Sequence, residues 1–138
     1  MPEVRFPVQV IGGVPVVVAP EEIDITNATG LRATLVEAAA HGNGTLVVDM
    51  SRTQFCDSAG ISVLVRAHKR AQAEGRTVRL VIAGAAVLRI WAVTGIDHLI
   101  PTFPSLAEAL AQTAAGPDSP DLIAAPAPPA GPEPVGTP

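Results

Sequence analysis

The chain has 138 residues, 48% of them hydrophobic, and a formal charge of -4, which allows one compact domain with a real core and not two. Three of its acids, Asp118, Asp121 and Glu133, fall after Ala114 in a stretch without Lys or Arg, so the remainder is nearly neutral and lacks the basic run that dominates nucleic-acid binding. A single cysteine excludes an intramolecular disulfide, and with no apolar run of roughly 20 residues and no leader-like N-terminus the chain is expected to be cytoplasmic, off the membrane and off DNA.

Residues 4–11 and 14–19 are rich in Val and Ile and flank Gly12-Gly13, whose tolerance of positive φ suits a two-residue turn, so the pair reads as a β-hairpin. Pro7 and Pro15 cannot donate to a ladder, which predicts solvent- or edge-facing positions for both. Thr26 or Asn27 is placed to cap a helix carrying Ala28, Leu31, Leu35 and Ala39 at helical spacing, with Gly42 ending it. Residues 45–50 form a short apolar run, the pattern of a strand covered on both faces. A second helix starts at Ser58, carries Ile61, Leu64, Val65, His68 and Ala71 on one stripe, and closes at Gly75. Residues 77–83 read as another buried strand. Residues 85–94 read as a helix that ends at Gly95 with Leu88 and Trp91 toward the core, and residues 99–103 as a short last strand. Ser105-Leu106-Ala107-Glu108 has the spacing of a capping box and opens a final helix. This order predicts an α/β fold with a mostly parallel central sheet, an N-terminal antiparallel hairpin and about four helices. Residues 114–138 are Pro, Ala and Gly with scattered acids. They have little to bury against their ordering entropy, so the domain is placed at 1–113 and the rest is read as a disordered tail.

Between the buried strand and the second helix, Asp57-Ser58-Ala59-Gly60 delivers a serine to a helix start, where unpaired amides and the positive end of the macrodipole favour a negative group. A phosphate on Ser58 would be well received there. Serine at such a point is also a favoured helix cap. Taken with Asp49 upstream, the segment resembles the phosphorylation-site region of anti-sigma factor antagonists of the STAS domain family, in which a strand leads through an aspartate and a short loop to Asp-Ser-Ser/Ala-Gly. Glu22-Ile23-Asp24 is similar to the family's Gly-Glu-Ile-Asp loop, with Glu21 in place of the glycine, and residues 104–110 are similar to its closing helix. The likeness covers about residues 4–113, and several ordered segments are far more specific than one tetrapeptide.

The resemblance implies a STAS-like fold, no enzymatic activity of the chain itself and no cofactor. It implies that an anti-sigma factor serine kinase phosphorylates Ser58. The dephosphorylated form would bind that kinase and free a sigma factor, and a metal-dependent serine phosphatase would restore it. Glu22, Asp24, Asp57, Ser58, Ala59, Gly60 and Ser62 are the expected partner-binding residues; by the resemblance, Glu22 and Asp24 lie beside Ser58 and touch the kinase. Ser62, one helical turn beyond Ser58, is either a second acceptor or an exposed helix residue. No metal site is expected.

Asp49 could position the Ser58 hydroxyl or a kinase-bound magnesium, and its favoured reading is a hydrogen-bond acceptor for the loop that follows it. Asp57 reads either as a helix cap or as a group that positions the Ser58 hydroxyl or a kinase-bound magnesium. Cys56 has no basic neighbour and reads as a small buried hydrophobe, with Asp57 raising its pKa. His68 reads as a packed helix residue, and His41 and His98 show no metal-ligand spacing with it or with Cys56. A hydrolase using Ser58 would need glycine two residues earlier, where Cys56 stands, and an Asp-then-His order with plausible spacing after it, which does not follow. A STAS accessory subunit of a transporter or of a stress-signalling assembly would share the fold, and the Asp57-Ser58-Ala59-Gly60 match favours the sigma pathway.

Overall fold

The computed structural model describes residues 5–42 and 44–114. Strands β1 (Val8–Ile11) and β2 (Val14–Val18) form the hairpin, antiparallel with Ile11 opposite Val14. Gly12 and Gly13 take φ of 59° and 82°, the positive values that a two-residue hairpin turn demands. There follow β3 (Glu22–Ile23), α1 (Ala28–Ala40), β4 (Thr45–Met50), β5 (Phe55–Cys56), α2 (Ser58–Ala73) and β6 (Thr77–Ile82). The chain continues through α3 (Ala85–Thr94), α4 (Ile96–Leu99), β7 (Thr102–Phe103) and α5 (Leu106–Ala114). The main sheet has the order β1-β2-β4-β6-β7 and is parallel except for the hairpin, while β3 and β5 make a separate two-stranded parallel pair.

The sheet is covered on both faces, which is why β4 carries the consecutive apolar residues Leu46, Val47 and Val48. Leu46, Val48 and Met50 enter a large core with Leu31, Leu35, Leu64, Leu80 and Trp91, whereas Val47 enters a smaller one with Val16, Val81 and Ala109 of α5. Each such fully buried Val or Leu side chain is worth about 1.5–3 kcal/mol relative to exposure. Arg79 lies opposite Val47 on the α5 side. Its guanidinium lies over the Phe103 ring, 5.6 Å from the centroid, and donates to the Ala109 carbonyl at 3.3 Å.

Several expectations are corrected. Pro15 is buried in an interior strand and not at an edge; it is accommodated because pairing of β2 with β4 begins one residue later, at Val16 opposite Val47. Pro7 precedes β1, and its carbonyl accepts from the Val18 amide at 2.9 Å. In α1 Ala38 is buried where Ala39 is only partly so, and the C-cap is His41, one residue before Gly42. In α3 the residue that accompanies Trp91 into the core is Val87, four positions earlier, while Leu88 is 42% exposed. The expected strand at 99–103 shrinks to two residues because Gly95, with φ of 81°, turns the chain into the short α4. Together with α4 the helices number five among the described residues. Residues 115–138, nearly all of the expected tail, lie outside the described residues. Among those described, no helix is long and apolar enough to cross a membrane.

Candidate functional site

The loop after β4 is tied down by its own polar residues. The Asp49 carboxylate accepts from the Ser51 amide at 3.0 Å, as expected of it, and the Thr53 amide donates to the Met50 carbonyl at 3.0 Å. Thr53 is buried, and its hydroxyl donates to the Pro20 carbonyl at 2.8 Å. From there the loop is held to the segment after β2. The Gln54 and Phe55 amides donate to the Glu21 carbonyl at 2.7 and 3.2 Å, and the Asp57 amide donates to the Ile23 carbonyl at 3.0 Å. The register Glu22 opposite Phe55 and Ile23 opposite Cys56 thus carries Glu22 and Asp24 alongside the residues that lead into α2.

Asp57 is the N-cap of α2, in extended backbone, and its Oδ1 accepts from the Ala59 and Gly60 amides at 2.9 and 3.1 Å. Of the two roles open to Asp57, this is the one its contacts show. Ser58 is therefore the first helical residue and not the cap. It is exposed, as is Ser62 one turn further on; Ala59 is half-buried. Among the described residues the Ser58 amide has no hydrogen-bond partner, so the first turn keeps one free donor beside an outward hydroxyl.

Gly60 is buried, and its reason is steric. A Cβ at Gly60 would stand 2.5 Å from Ile23 Cγ2 and 2.7 Å from Cys56 Sγ, so the absent side chain lets α2 sit directly on the β3–β5 pair. Cys56 itself is 2% exposed, and burial, followed by the Asp57 charge, pushes its thiol up to about 12. A thiol so protonated is a packing group and not a nucleophile. His68 is buried in α2 with its Nε2 unpartnered.

Asp24 is consumed by local structure. Its Oδ1 accepts from the Thr26 amide at 2.9 Å and from the Thr26 hydroxyl at 2.5 Å. These bonds, the hydroxyl first, hold its carboxyl below the usual aspartate range. Asn27 occupies the N-cap of α1 without a side-chain cap bond. It instead accepts from the Asp24 amide at 3.0 Å and donates to the Glu22 carbonyl at 2.8 Å, bracing the loop. Glu22 is exposed.

Two exposed apolar side chains in these segments went unnoticed in the sequence: Phe55, 47% exposed, and Ile25, 77% exposed. The signal for Phe55 was its place next to buried Cys56 in an alternating strand. The arrangement is an exposed hydroxyl at the positive end of a helix, with four carboxylates, Glu21, Glu22, Asp24 and Asp57, and two exposed apolar groups on the segments that β3 and β5 hold together. No cluster of three or more metal-ligating side chains occurs among the described residues.

A family model of the STAS domain matches residues 5–109, and the chain belongs to this family. A Mycobacterium tuberculosis protein named as an anti-anti-sigma factor is 32% identical over 98 residues, which cover 70% of this chain and 66%, just under two thirds, of that protein. The crystal structure of an anti-sigma factor antagonist from Mycobacterium paratuberculosis is similar with a TM-score of 0.72 and 29% identity, over 79% of this chain and 92% of that one. Murine Solute Carrier 26 family member A9, an anion transporter, contains a similar region, with a TM-score of 0.64 and 25% identity over 78% of this chain and 19% of the transporter. The STAS-like α/β fold expected from the resemblance agrees with these findings.

Proposed function

We propose that this chain is an anti-sigma factor antagonist that binds an anti-sigma serine kinase while Ser58 is unmodified, frees a sigma factor by doing so, and is switched off when Ser58 is phosphorylated. The observation that carries the reading is the exposure of Ser58 at the first helical position, immediately after a cap that is already filled by Asp57. The kinase transfers the γ-phosphoryl of its nucleotide to Ser58 Oγ, and a metal-dependent phosphatase hydrolyses the ester; the chain is the substrate of both and the enzyme in neither. Glu22, Asp24, Asp57, Ala59, Gly60 and Ser62 belong to the same surface or support it, Gly60 from beneath.

A phosphoserine brings about -1.5 to -2 charge units at neutral pH. The helix terminus attracts it, yet the Ala59 and Gly60 amides are taken by Asp57, whose charge repels it. The phosphate therefore stays on the surface and deepens an acidic patch with Asp57, Glu22 and Asp24, while the fold is unchanged. A partner surface fitted to a neutral hydroxyl then loses ~3 to 4 kcal/mol, a few hundredfold in affinity.

Calorimetric titration of the unmodified protein, the phosphoprotein, Ser58→Ala and Ser58→Asp against the cognate kinase tests this, with circular dichroism to confirm folding. Ser58→Ala should bind like the unmodified protein and take up no phosphate, and Ser58→Asp should be weakened in part. Equal affinity of the unmodified and phosphorylated forms, or phosphate mapped to Ser62 in place of Ser58, would overturn the reading. The likeness to a transporter region favours a second reading, an accessory module of a transporter. Co-purification from the native cell with a permease and without a kinase would select it.

A further inference from the structure

Toward the C-terminal end of α2, roughly 15 Å along the helix from Ser58 at 1.5 Å per residue, α1 and α2 border a groove of about 350 Å³ with the first residues of β4 and β6. Its apolar surface comes from Val36, Val63 and Ala67, backed by the core residues Leu35, Leu46 and Val78. Its charged lining is Arg32, Arg66, Arg70 and Arg76 against one acid, Glu74. Nearly half of the chain's nine basic residues thus meet at one place, although no basic run exists in the sequence.

The guanidiniums are poorly neutralised. Glu74 is shared between Arg70 and Arg76 at 3.6 Å from each, and Arg76 also donates to the Ala39 carbonyl. Arg32 and Arg66 have no ion pair or hydrogen bond among the described residues. Arg66 and Arg70 are spaced i, i+4 on α2, a like-charge pair that weakens a helix. An apolar floor needs no such ring of cations. A ligand with an apolar chain and an anionic head matches both parts, because the planar guanidinium fork pairs with carboxylate or phosphate. The volume lies at the small end of ligand sites and suits one chain of modest length.

We propose that this groove binds an amphiphilic anion, an unbranched acyl or alkyl chain on the apolar floor with a carboxylate or phosphate head against Arg32 and Arg66. The site is separate from Ser58 and stands whether or not Ser58 is phosphorylated.

The test is calorimetric titration of the full chain at low salt with decanoate and with decyl phosphate, both below micelle formation, and with decanol and inorganic phosphate as controls. At least one amphiphilic anion should bind one per chain, and decanol and inorganic phosphate about tenfold or more weaker, the worth of one charge-assisted contact. The double substitution Arg32→Glu and Arg66→Glu should weaken the anion by about tenfold or more and leave decanol unchanged. Ala67→Phe, which fills the floor, should abolish binding of chain and head alike. Circular dichroism establishes that each variant is folded. Absence of binding by either anion, decanol as tight as decanoate, or indifference to the charge reversal in a folded variant would overturn the proposal. So would binding that appears only when Asp118 and Asp121 are changed to Asn and Leu122 and Ile123 to Ser, because the chain's own acidic and apolar segment would then be the occupant.

Discussion

At the N-terminal end of α2, Asp57 holds two amides, Thr53 and Asp24 are bonded within their loops, and Gly60 leaves room for Ile23 and Cys56. At the C-terminal end, four guanidiniums border an apolar groove, and one carboxylate, Glu74, pairs with only two of them, Arg70 and Arg76. The first end is closed by short-range bonds and leaves one hydroxyl outward, as a surface read by a partner requires. The second has charge and apolar area to spare, as a small-ligand site requires. Disturbing the order of the first should therefore cost stability, whereas removing charge from the second should not.

The largest effect is expected at Gly60. Gly60→Ala pushes a methyl into Ile23 and Cys56, and its improved helix propensity offsets only part of the overpacking, so a loss of about 1–3 kcal/mol is expected in denaturant unfolding. Arg66→Ala is the matching change at the other end and should cost no more than about 0.5 kcal/mol, as for an exposed unpaired residue. Equal costs at the two positions would dissolve the contrast. Asp57→Ala comes next, removing a cap bonded to two amides, with an expected loss of about 1 kcal/mol. A neutral result there would mean that the Ala59 and Gly60 amides find other partners and that Asp57 serves the surface alone.

The smallest effect is a pH dependence of the Asp24 loop. The folded carboxyl titrates below its ordinary value because the Thr26 hydroxyl and amide bond the ionised form. The associated stability is therefore complete above the unfolded aspartate value and is lost as pH falls through the lower folded one. Thr26→Val should move the Asp24 midpoint, followed by carboxyl NMR, up toward the ordinary value. An unmoved midpoint would show that the hydroxyl bond contributes nothing in solution.

Period and punctuation made much of the fold legible. The strand at 45–50 and the helix at 85–94 have the bounds read from apolar runs and Gly95, because burial on two faces or on one stripe writes itself into consecutive residues. Asp57 and Ser58 were legible as a helix start for the same local reason: a cap bonds amides two and three residues ahead. The pairing of β3 with β5 left no trace, since two residues carry no period and each needs a partner distant in the chain. Val87 rather than Leu88 entered the core, and the local pattern does not choose between two adjacent apolar residues, since each lies within one turn of Trp91. Pro15 sits inside the sheet because the ladder with its neighbour strand begins one residue later, at Val16 opposite Val47, a matter of register that no local pattern records. The arginine groove lies furthest from local reading. Arg32, Arg66, Arg70 and Arg76 are scattered over α1, α2 and the turn before β6. Charges so separated in sequence act together only where packing of the two helices over the sheet brings them within each other's field.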